Sequence, residues 1–391
     1  MKPSHKRNSP TQPRPNQASL TGDKTPVHKG PPIVSHLCEV DLASGLEKIV
    51  YGELLQQLGK RLKMTHPLAE QLESGALQFG YTGDLRRLLH LQTVLTAYLV
   101  CPFEITRPNA LLGHENFQKL LRHLAVVRGL LPPNTFRTFG ISAAGSDSQV
   151  MLQLAASLAE QLGLQNGEDE VDLLLRIRRP RFGATGWEVL IRLSPRPLSV
   201  RAWRVSDMKG ALNAAVAHGM VLLTQPTPQD KFLNLGCGSG TLLIERLQQG
   251  PARRVIGCDI DAEARNHAQA NLGTSPALRM IELYDWDARA VNLPEASIDA
   301  ICADLPFGIA VGAHDNNVEL YPGILREAAR VARPGARFVL MTQEIRLLES
   351  LVNDSTDWEV LDVLSLTLRG LHPRIFVLRR RTSHVHNPSK S

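Results

Sequence analysis

The chain has no pair of cysteines at CxxC spacing. Its five cysteines, Cys38, Cys101, Cys237, Cys258 and Cys302, are scattered and odd in number, and no histidine lies at zinc-ligand spacing from two of them. That pattern argues against a structural zinc and a disulfide framework, and for reduced thiols in a cytosolic protein. Nor is any apolar run long enough to cross a bilayer: the longest, Leu88 to Phe103, is broken by His90 and Gln92. The basic N-terminus lacks the apolar core of a secretory signal. No metal-binding cluster, Ser/His/Asp set or internal repeat stands out. These absences set aside membrane proteins, secreted disulfide scaffolds and metallo- or triad hydrolases, and lead us to expect a soluble, cytoplasmic protein.

What the chain does have is length and unevenly placed charge. Its 391 residues, 43% hydrophobic and 21% charged, suffice for two or three domains with proper cores. Of the net charge of +6, residues 1–30 carry +5 and residues 366–391 carry +6, leaving −5 for the body. Within that body, residues 176–209 hold nine Arg or Lys against Glu188 and Asp207, a net +7. Such a cluster is either a phosphate-binding surface or a set of solvated strand charges.

Residues 1–35, rich in Pro, Ser, Asn and Lys, predict a disordered basic tail, and 383–391 a second disordered tail. Leu46, Ile49, Val50, Leu54 and Leu58 share one helix face that Gly59 ends. A strand at Ala76–Phe79, a helix from about Asp84 to Leu99, a strand at Phe103–Thr106 and a connecting helix over 112–130 follow, making an α+β unit of 36–130. A second unit, 131–205, reads as extended Phe136–Ile141, a helix Ser148–Leu162, and strands Val171–Arg178 and Trp187–Leu193. From 206 to 382 the pattern changes. An apolar helix at 209–224 precedes strands at Phe232–Leu235, Arg254–Asp259, Met280–Tyr284, Ser297–Cys302 and Arg337–Met341, which alternate with helices. Trp358–Leu368 and Arg374–Arg380 close the series as an antiparallel pair. The expected class is α/β: a Rossmann-like domain with a seven-stranded, mainly parallel sheet, preceded by the two α+β units.

The first strand of that domain runs into Gly236-Cys-Gly238-Ser-Gly240-Thr. Glycines let a ligand approach the backbone, and the helix that follows offers free N–H groups. A dinucleotide fold wants Gly-x-Gly-x-x-Gly; here the third glycine comes one residue early, as in the turn of S-adenosylmethionine-dependent methyltransferases. The second strand ends in Asp259, a carboxylate placed to accept both ribose hydroxyls of a nucleoside, with Ile260 next to pack on an adenine. The third ends in Asp287-Ala288, an acceptor for the adenine amino group and an N–H donor. Asn234, just before the turn, joins the candidate cofactor contacts.

The fourth strand delivers Asp304-Leu305-Pro306-Phe307-Gly308. This resembles the (Asp/Asn)-Pro-Pro-(Tyr/Phe) motif of methyltransferases acting on exocyclic amino groups of bases. Such an amine is a poor nucleophile, because its lone pair delocalises into the ring. A carboxylate (Asp304) and a backbone carbonyl (Leu305) accepting its two hydrogens hold it in line, Pro306 sets the turn, and Phe307 offers a stacking face. Leu305 stands where the commoner motif has proline, a change the carbonyl role tolerates. A base inside a helix is out of reach and must be single-stranded or flipped out.

Taken with Leu320-Tyr-Pro, Leu325-Arg-Glu and Arg330-Val-Ala-Arg-Pro-Gly, and with Gly45-Leu-Glu-Lys-Ile-Val-Tyr-Gly-Glu-Leu and Pro197-Leu-Ser-Val-Arg-Ala-Trp-Arg204 in the front half, the chain resembles the THUMP-domain tRNA guanine-N2 methyltransferases over about 36–380. The resemblance implies that 36–130 is a ferredoxin-like domain, that 131–205 is a THUMP domain, and that both grip tRNA while the last domain methylates a guanosine N2 using S-adenosyl-L-methionine. It also implies that Asn213 lies near the cofactor. Arg179, Arg181 and Arg204 are the candidate RNA contacts; Ser142-Ala-Ala-Gly-Ser lacks the basic residues the family pattern leads one to expect. The motif also suits rRNA guanosine N2 or adenosine N6, and an RNA-binding protein without catalysis or a nicotinamide oxidoreductase remain competing classes. A small activating subunit is left open.

Overall fold

The computed structural model describes residues 34–382 apart from 169, 184, 308–312 and 369. The expected tails lie outside the described residues except for positions 34 and 35, and Gly308 lies outside them too. The described residues from Ser35 onward form one compact unit containing two sheets.

The front sheet comprises β1 (His36–Asp41), β2 (Leu62–Met64), β3 (Ala76–Tyr81), β4 (Thr96–Phe103), β5 (Thr138–Ala143), β6 (Gln165–Asn166), β7 (Leu173–Arg178) and β8 (Trp187–Arg192), in the order β2-β3-β1-β4-β8-β7-β5-β6. Its helices are α1 (Glu47–Leu58), α2 (Leu68–Gln71), α3 (His114–Arg128) and α4 (Gln149–Leu162). β4 pairs antiparallel with β8, from Tyr98↔Arg192 to Phe103↔Trp187, so strands of both front units share a single sheet.

The helix expected over Asp84–Leu99 is absent. In its place are a short 3-10 turn, Leu85–His90, and the central strand β4. β4 is buried at every position but Pro102, and a strand covered on both faces reads as an unbroken apolar run that periodicity does not separate from a helix. The same strand ends at Phe103, where a new one was expected to begin. β1, β2 and β6 are not among the strands read from the sequence.

The second sheet contains β9 (Lys231–Leu235), β10 (Arg254–Cys258), β11 (Glu282–Tyr284), β12 (Ile298–Asp304), β13 (Ala332–Thr342), β14 (Trp358–Ser365) and β15 (Arg374–Arg380). The order is β11-β10-β9-β12-β13-β15-β14, and β15 runs antiparallel to both its neighbours. These are the seven strands and the closing antiparallel pair read from the sequence. Helix α5 (Ala214–Leu223) precedes the sheet, and α6 (Thr241–Gln249), α7 (Ala262–Leu272), α8 (Ala313–Val331) and α9 (Ile345–Asn353) lie between its strands. Strand order reverses between β9 and β12, which opens a crevice at their carboxyl ends. Both candidate motifs emerge there.

Residues of the front sheet and of the second sheet pack into one hydrophobic core. Gly45, at φ +102°, passes so close to the second sheet that a Cβ would lie 2.0 Å from the Ser365 carbonyl oxygen. Thr367 N–H donates to the Ser44 carbonyl at 3.1 Å. Deeper in, buried Glu245 of α6 accepts from Arg201 at 2.9 Å and meets His218 of α5 at 2.8 Å, while Arg201 also donates to the Gln92 carbonyl at 2.6 Å. A buried charge set of this kind is costly to break on one side.

Candidate active site

The glycine turn has the geometry its sequence requires. Gly236, Gly238 and Gly240 have φ of +63°, +52° and +83°, a region that side-chain-bearing residues rarely adopt. A Cβ on Gly236 would point into open space, so the turn leaves room for a ligand. α6 starts directly after it, with Gly240 as a cap that has no side chain to occupy the first N–H groups.

Asp259 stands at the end of β10 and braces this turn. One carboxylate oxygen accepts from Gly238 N–H at 2.8 Å and the other from Asp261 N–H at 3.0 Å. Each oxygen keeps a further lone pair for a ribose hydroxyl. Arg265 donates to the Asp259 carbonyl at 2.7 Å and holds the segment from the other side. Ile260 is 71% exposed, an apolar side chain standing beside a carboxylate at the crevice mouth with nothing on it. Asp287 is held bidentately by Arg289, at 2.7 and 3.0 Å, and those hydrogen bonds lower its pKa. Ala288 is half-buried against the core, close in sequence to the stacked Tyr284–Trp286 pair, whose ring centroids are 4.0 Å apart.

One expected contact is placed elsewhere, and another has a structural duty of its own. Asn234 is fully buried within β9 and donates to the Cys302 carbonyl of β12 at 3.1 Å, so it ties two strands together instead of reaching the crevice. Asn213 caps α5, its side chain accepting from Ala215 N–H at 2.9 Å. It remains near the turn because Arg204 donates both to the adjoining Leu212 carbonyl and to the Thr241 hydroxyl, each at 2.9 Å. Sequence reading missed Asn271 of α7. This fully buried amide accepts from Val205 and Ser206 N–H and donates to the Ser239 carbonyl at 3.0 Å, stapling the segment before α5 onto the glycine turn.

Asp304 ends β12 with its Oδ1 shut off from solvent and without a hydrogen-bond partner among the described residues. Burial pushes its pKa up from 3.8 to about 7. A buried carboxylate oxygen without a partner is expensive and rare, and this one stands at the end of β12 beside the crevice. Leu305 is buried and its N–H donates to the Met341 carbonyl at 2.9 Å, which continues the strand pairing into the turn. Phe307 is half-buried, one part of it packed on the core.

The brace of this turn was not foreseen. The Pro306 carbonyl accepts from Tyr321 Oη at 2.6 Å and from Asn317 Nδ2 at 3.1 Å. Tyr321 Oη also meets the Thr342 hydroxyl at 2.7 Å, at the end of β13. Asn317 and Tyr321 sit four apart, hence on one face of α8, and that spacing after the motif was the only legible signal. Tyr321→Phe removes both contacts of a fully buried hydroxyl. We expect it to lower kcat about tenfold and stability by about 1–3 kcal/mol with cofactor affinity unchanged, as calorimetry and thermal melts would check.

The basic stretch 176–209 turns largely inward. Arg178 pairs with Glu39 and Glu188 at 2.7 and 2.8 Å, Arg176 with Asp41 at 2.8 Å and Arg201 with Glu245, while the buried Arg192 donates to backbone carbonyls. Arg204, at 15% side-chain exposure, belongs to this inward set and not to an open RNA-facing surface. Arg179 and Arg181 are exposed. Arg179 lies over the Trp187 ring at 4.5 Å and Arg181 donates to the Ser74 carbonyl at 2.7 Å.

The model of the RMKL-like methyltransferase domain family matches residues 201–374, the segment that carries the glycine turn, the three strand-end carboxylates and the Asp304 turn. The chain is 31% identical to the tRNA (guanine(6)-N(2))-methyltransferase THUMP3 of Mus musculus over 191 residues, which is 46% of this chain and 38% of that protein. It is 28% identical to the tRNA (guanine(6)-N2)-methyltransferase of Thermus thermophilus over 213 residues, 54% of this chain and 62% of that one. The chain thus spans well under two thirds of the length of the mammalian relative it matches. In structure it resembles TrmN from Thermus thermophilus, with a TM-score of 0.68 over 88% of this chain and 99% of the other at 21% identity, a likeness of fold. The matched segment is thus similar to methyltransferases, in keeping with the resemblance read from the sequence, and it carries the Rossmann-like sheet expected for it. Among the described residues no helix is long and apolar enough to cross a membrane.

Proposed function

We propose that this protein transfers a methyl group from S-adenosylmethionine to the N2 amino group of a guanosine in tRNA, in the cytoplasm. The observation that carries the reading is the solvent-shielded Oδ1 of Asp304, unpaired among the described residues at the end of β12, across the sheet's switch point from the glycine turn. The names of the relatives, tRNA guanine-N2 methyltransferases, supply the substrate.

The residues fit the cofactor. The positive-φ glycines and the uncapped start of α6 suit its amino-acid end, Asp259 its ribose, and Ile260 with the Asp287–Ala288 segment its adenine. When bound, S-adenosylmethionine supplies an electrophilic methyl group. Asp304 accepts one hydrogen of the guanine amine and the Leu305 carbonyl the other, so the nitrogen lone pair faces the methyl carbon. An amine that accepted this methyl group would have to give up one proton. With a pKa of about 7, Asp304 is basic enough to take it near neutral pH. Pro306, held by Tyr321 and Asn317, keeps the acceptors in place, and Phe307 supports the flipped base.

In this reading 36–130 is a ferredoxin-like domain, 131–205 a THUMP domain and 206–382 the methyltransferase domain. The front pair holds folded RNA by shape and phosphate contacts, with Arg179 and Arg181 on the exposed side. Incubating the chain with radiolabelled S-adenosylmethionine and bulk tRNA, then separating nucleosides, tests the proposal. Label is expected in N2-methylguanosine. Label in N6-methyladenosine would sink the base assignment, absence of label with intact cofactor binding would point to another RNA or a required partner subunit, and absence of cofactor binding would end the reading.

A further inference from the structure

Asp304 is not the only stranded acceptor at this end of the sheet. Gln343 Oε1 is also buried and, among the described residues, without a partner. Met341 of β13 is the register partner of Asp304, and Gln343 follows two residues later. β13 ends at Thr342, so Gln343 stands in the first position past the strand, at the same carboxyl end of the sheet at which β12 delivers Asp304. The other buried side-chain atoms without a partner among the described residues, such as Asp41 Oδ1, Tyr81 Oη and Asn234 Oδ1, lie in the front sheet or within the chain's interior.

Both acceptors hang from one frame. Tyr321 Oη joins the Pro306 carbonyl to the Thr342 hydroxyl, and that hydroxyl accepts from Glu344 N–H at 2.9 Å. The turn after β12 and the turn after β13 are therefore locked together by a single buried tyrosine, one residue from each orphan or two. Two unpartnered polar groups in one braced site imply one ligand with two complementary groups.

We propose that Gln343 is a specificity-determining residue that reads the guanine edge next to the reacting amine. The inference rests on the functional reading above. Guanine presents, beside its N2 amine, the N1–H donor and then the O6 acceptor. A carboxamide matches that pair: Oε1 accepts from N1–H and Nε2 donates to O6. With N2 on Asp304 and N1–H on Gln343, both orphans are satisfied by one base. A base that keeps the amine but lacks N1–H and O6 leaves the amide unpaired in a buried site, which is the arrangement that discriminates most strongly.

The test compares the full-length protein on RNA carrying guanosine or 2-aminopurine at the position labelled in bulk tRNA. 2-Aminopurine retains the exocyclic amine and lacks N1–H and O6. Wild type is expected to prefer guanosine by about 10–100-fold in kcat/KM. Gln343→Ala should lose most of that factor on guanosine and nothing on 2-aminopurine, so the preference collapses. Gln343→Glu, which keeps the acceptor and loses the donor, should fall between them, and it serves if the alanine variant no longer binds cofactor. Equal losses on both bases, or an unchanged preference, would overturn the role of Gln343 while leaving the methyltransferase reading intact. A wild type that labels no guanosine would overturn that reading itself.

Discussion

Asp304→Asn is expected to cut turnover by about 10²–10³-fold, leave cofactor affinity nearly unchanged, and make the protein more stable at pH 8. The three outcomes share one cause. One carboxylate oxygen, Oδ1, is shut off from solvent and unpaired among the described residues, and the pKa of about 7 lies well above the ordinary 3.8. The native state therefore holds on to a proton that the unfolded chain releases. Below about pH 4 the carboxyl is neutral in both states and costs nothing. Between about 4 and 7 the unfolded chain ionises first and stability falls; above 7 the full penalty, up to about 4 kcal/mol, is present. The neutral amide escapes it, so the variant's melting temperature should exceed that of wild type at pH 8 and match it near pH 4. Wild-type kcat/KM should rise as pH increases through about 7, where Asp304 becomes an acceptor. A variant that is both inactive and less stable at pH 8 would show that Asp304 holds the fold and is not kept for substrate.

Asp259→Ala is expected to weaken S-adenosylmethionine binding by about 100-fold or more, from the loss of two charge-assisted hydrogen bonds of about 1.5 kcal/mol or more each. The structure adds a second reason. The same carboxylate accepts from Gly238 N–H, so its removal also frees the glycine turn from its positive-φ shape. Asp259→Asn separates the two parts: its side-chain oxygen still accepts one bond, and the loss should be intermediate. Calorimetric titration with S-adenosylhomocysteine measures this without turnover. If Asp259→Ala lowered turnover at saturating cofactor while Asp304→Asn weakened binding, the two roles would be reversed.

These two carboxylates differ in how far consecutive residues disclosed them. Asp259 was visible as a strand-end acid after a glycine turn, and the structure adds only its grip on Gly238. Asp304 was visible as part of a motif, but its raised pKa was not, since burial depends on what the neighbouring strands and α8 place around it. The arginines of 176–209 show the opposite error. Counted along the chain they look like an RNA surface, whereas Arg176, Arg178 and Arg201 find acids in β1, β8 and α6. Sequence counts charges, but only packing determines which of them reach solvent.

By itself the sequence determined the seven-stranded sheet, its antiparallel close, the glycine turn and the Asp304 turn. Each is written in a short stretch of neighbouring residues whose periodicity or backbone needs are local. The tertiary structure alone decided that β4 is a strand pairing with β8, that Asn234 and Arg204 face inward, and that Tyr321 locks two turns so that Asp304 and Gln343 are left with unpaired oxygens. Those outcomes depend on groups distant in the chain meeting across a packed interior, where hydrogen-bond satisfaction is settled by three-dimensional neighbours and leaves no mark in local spacing.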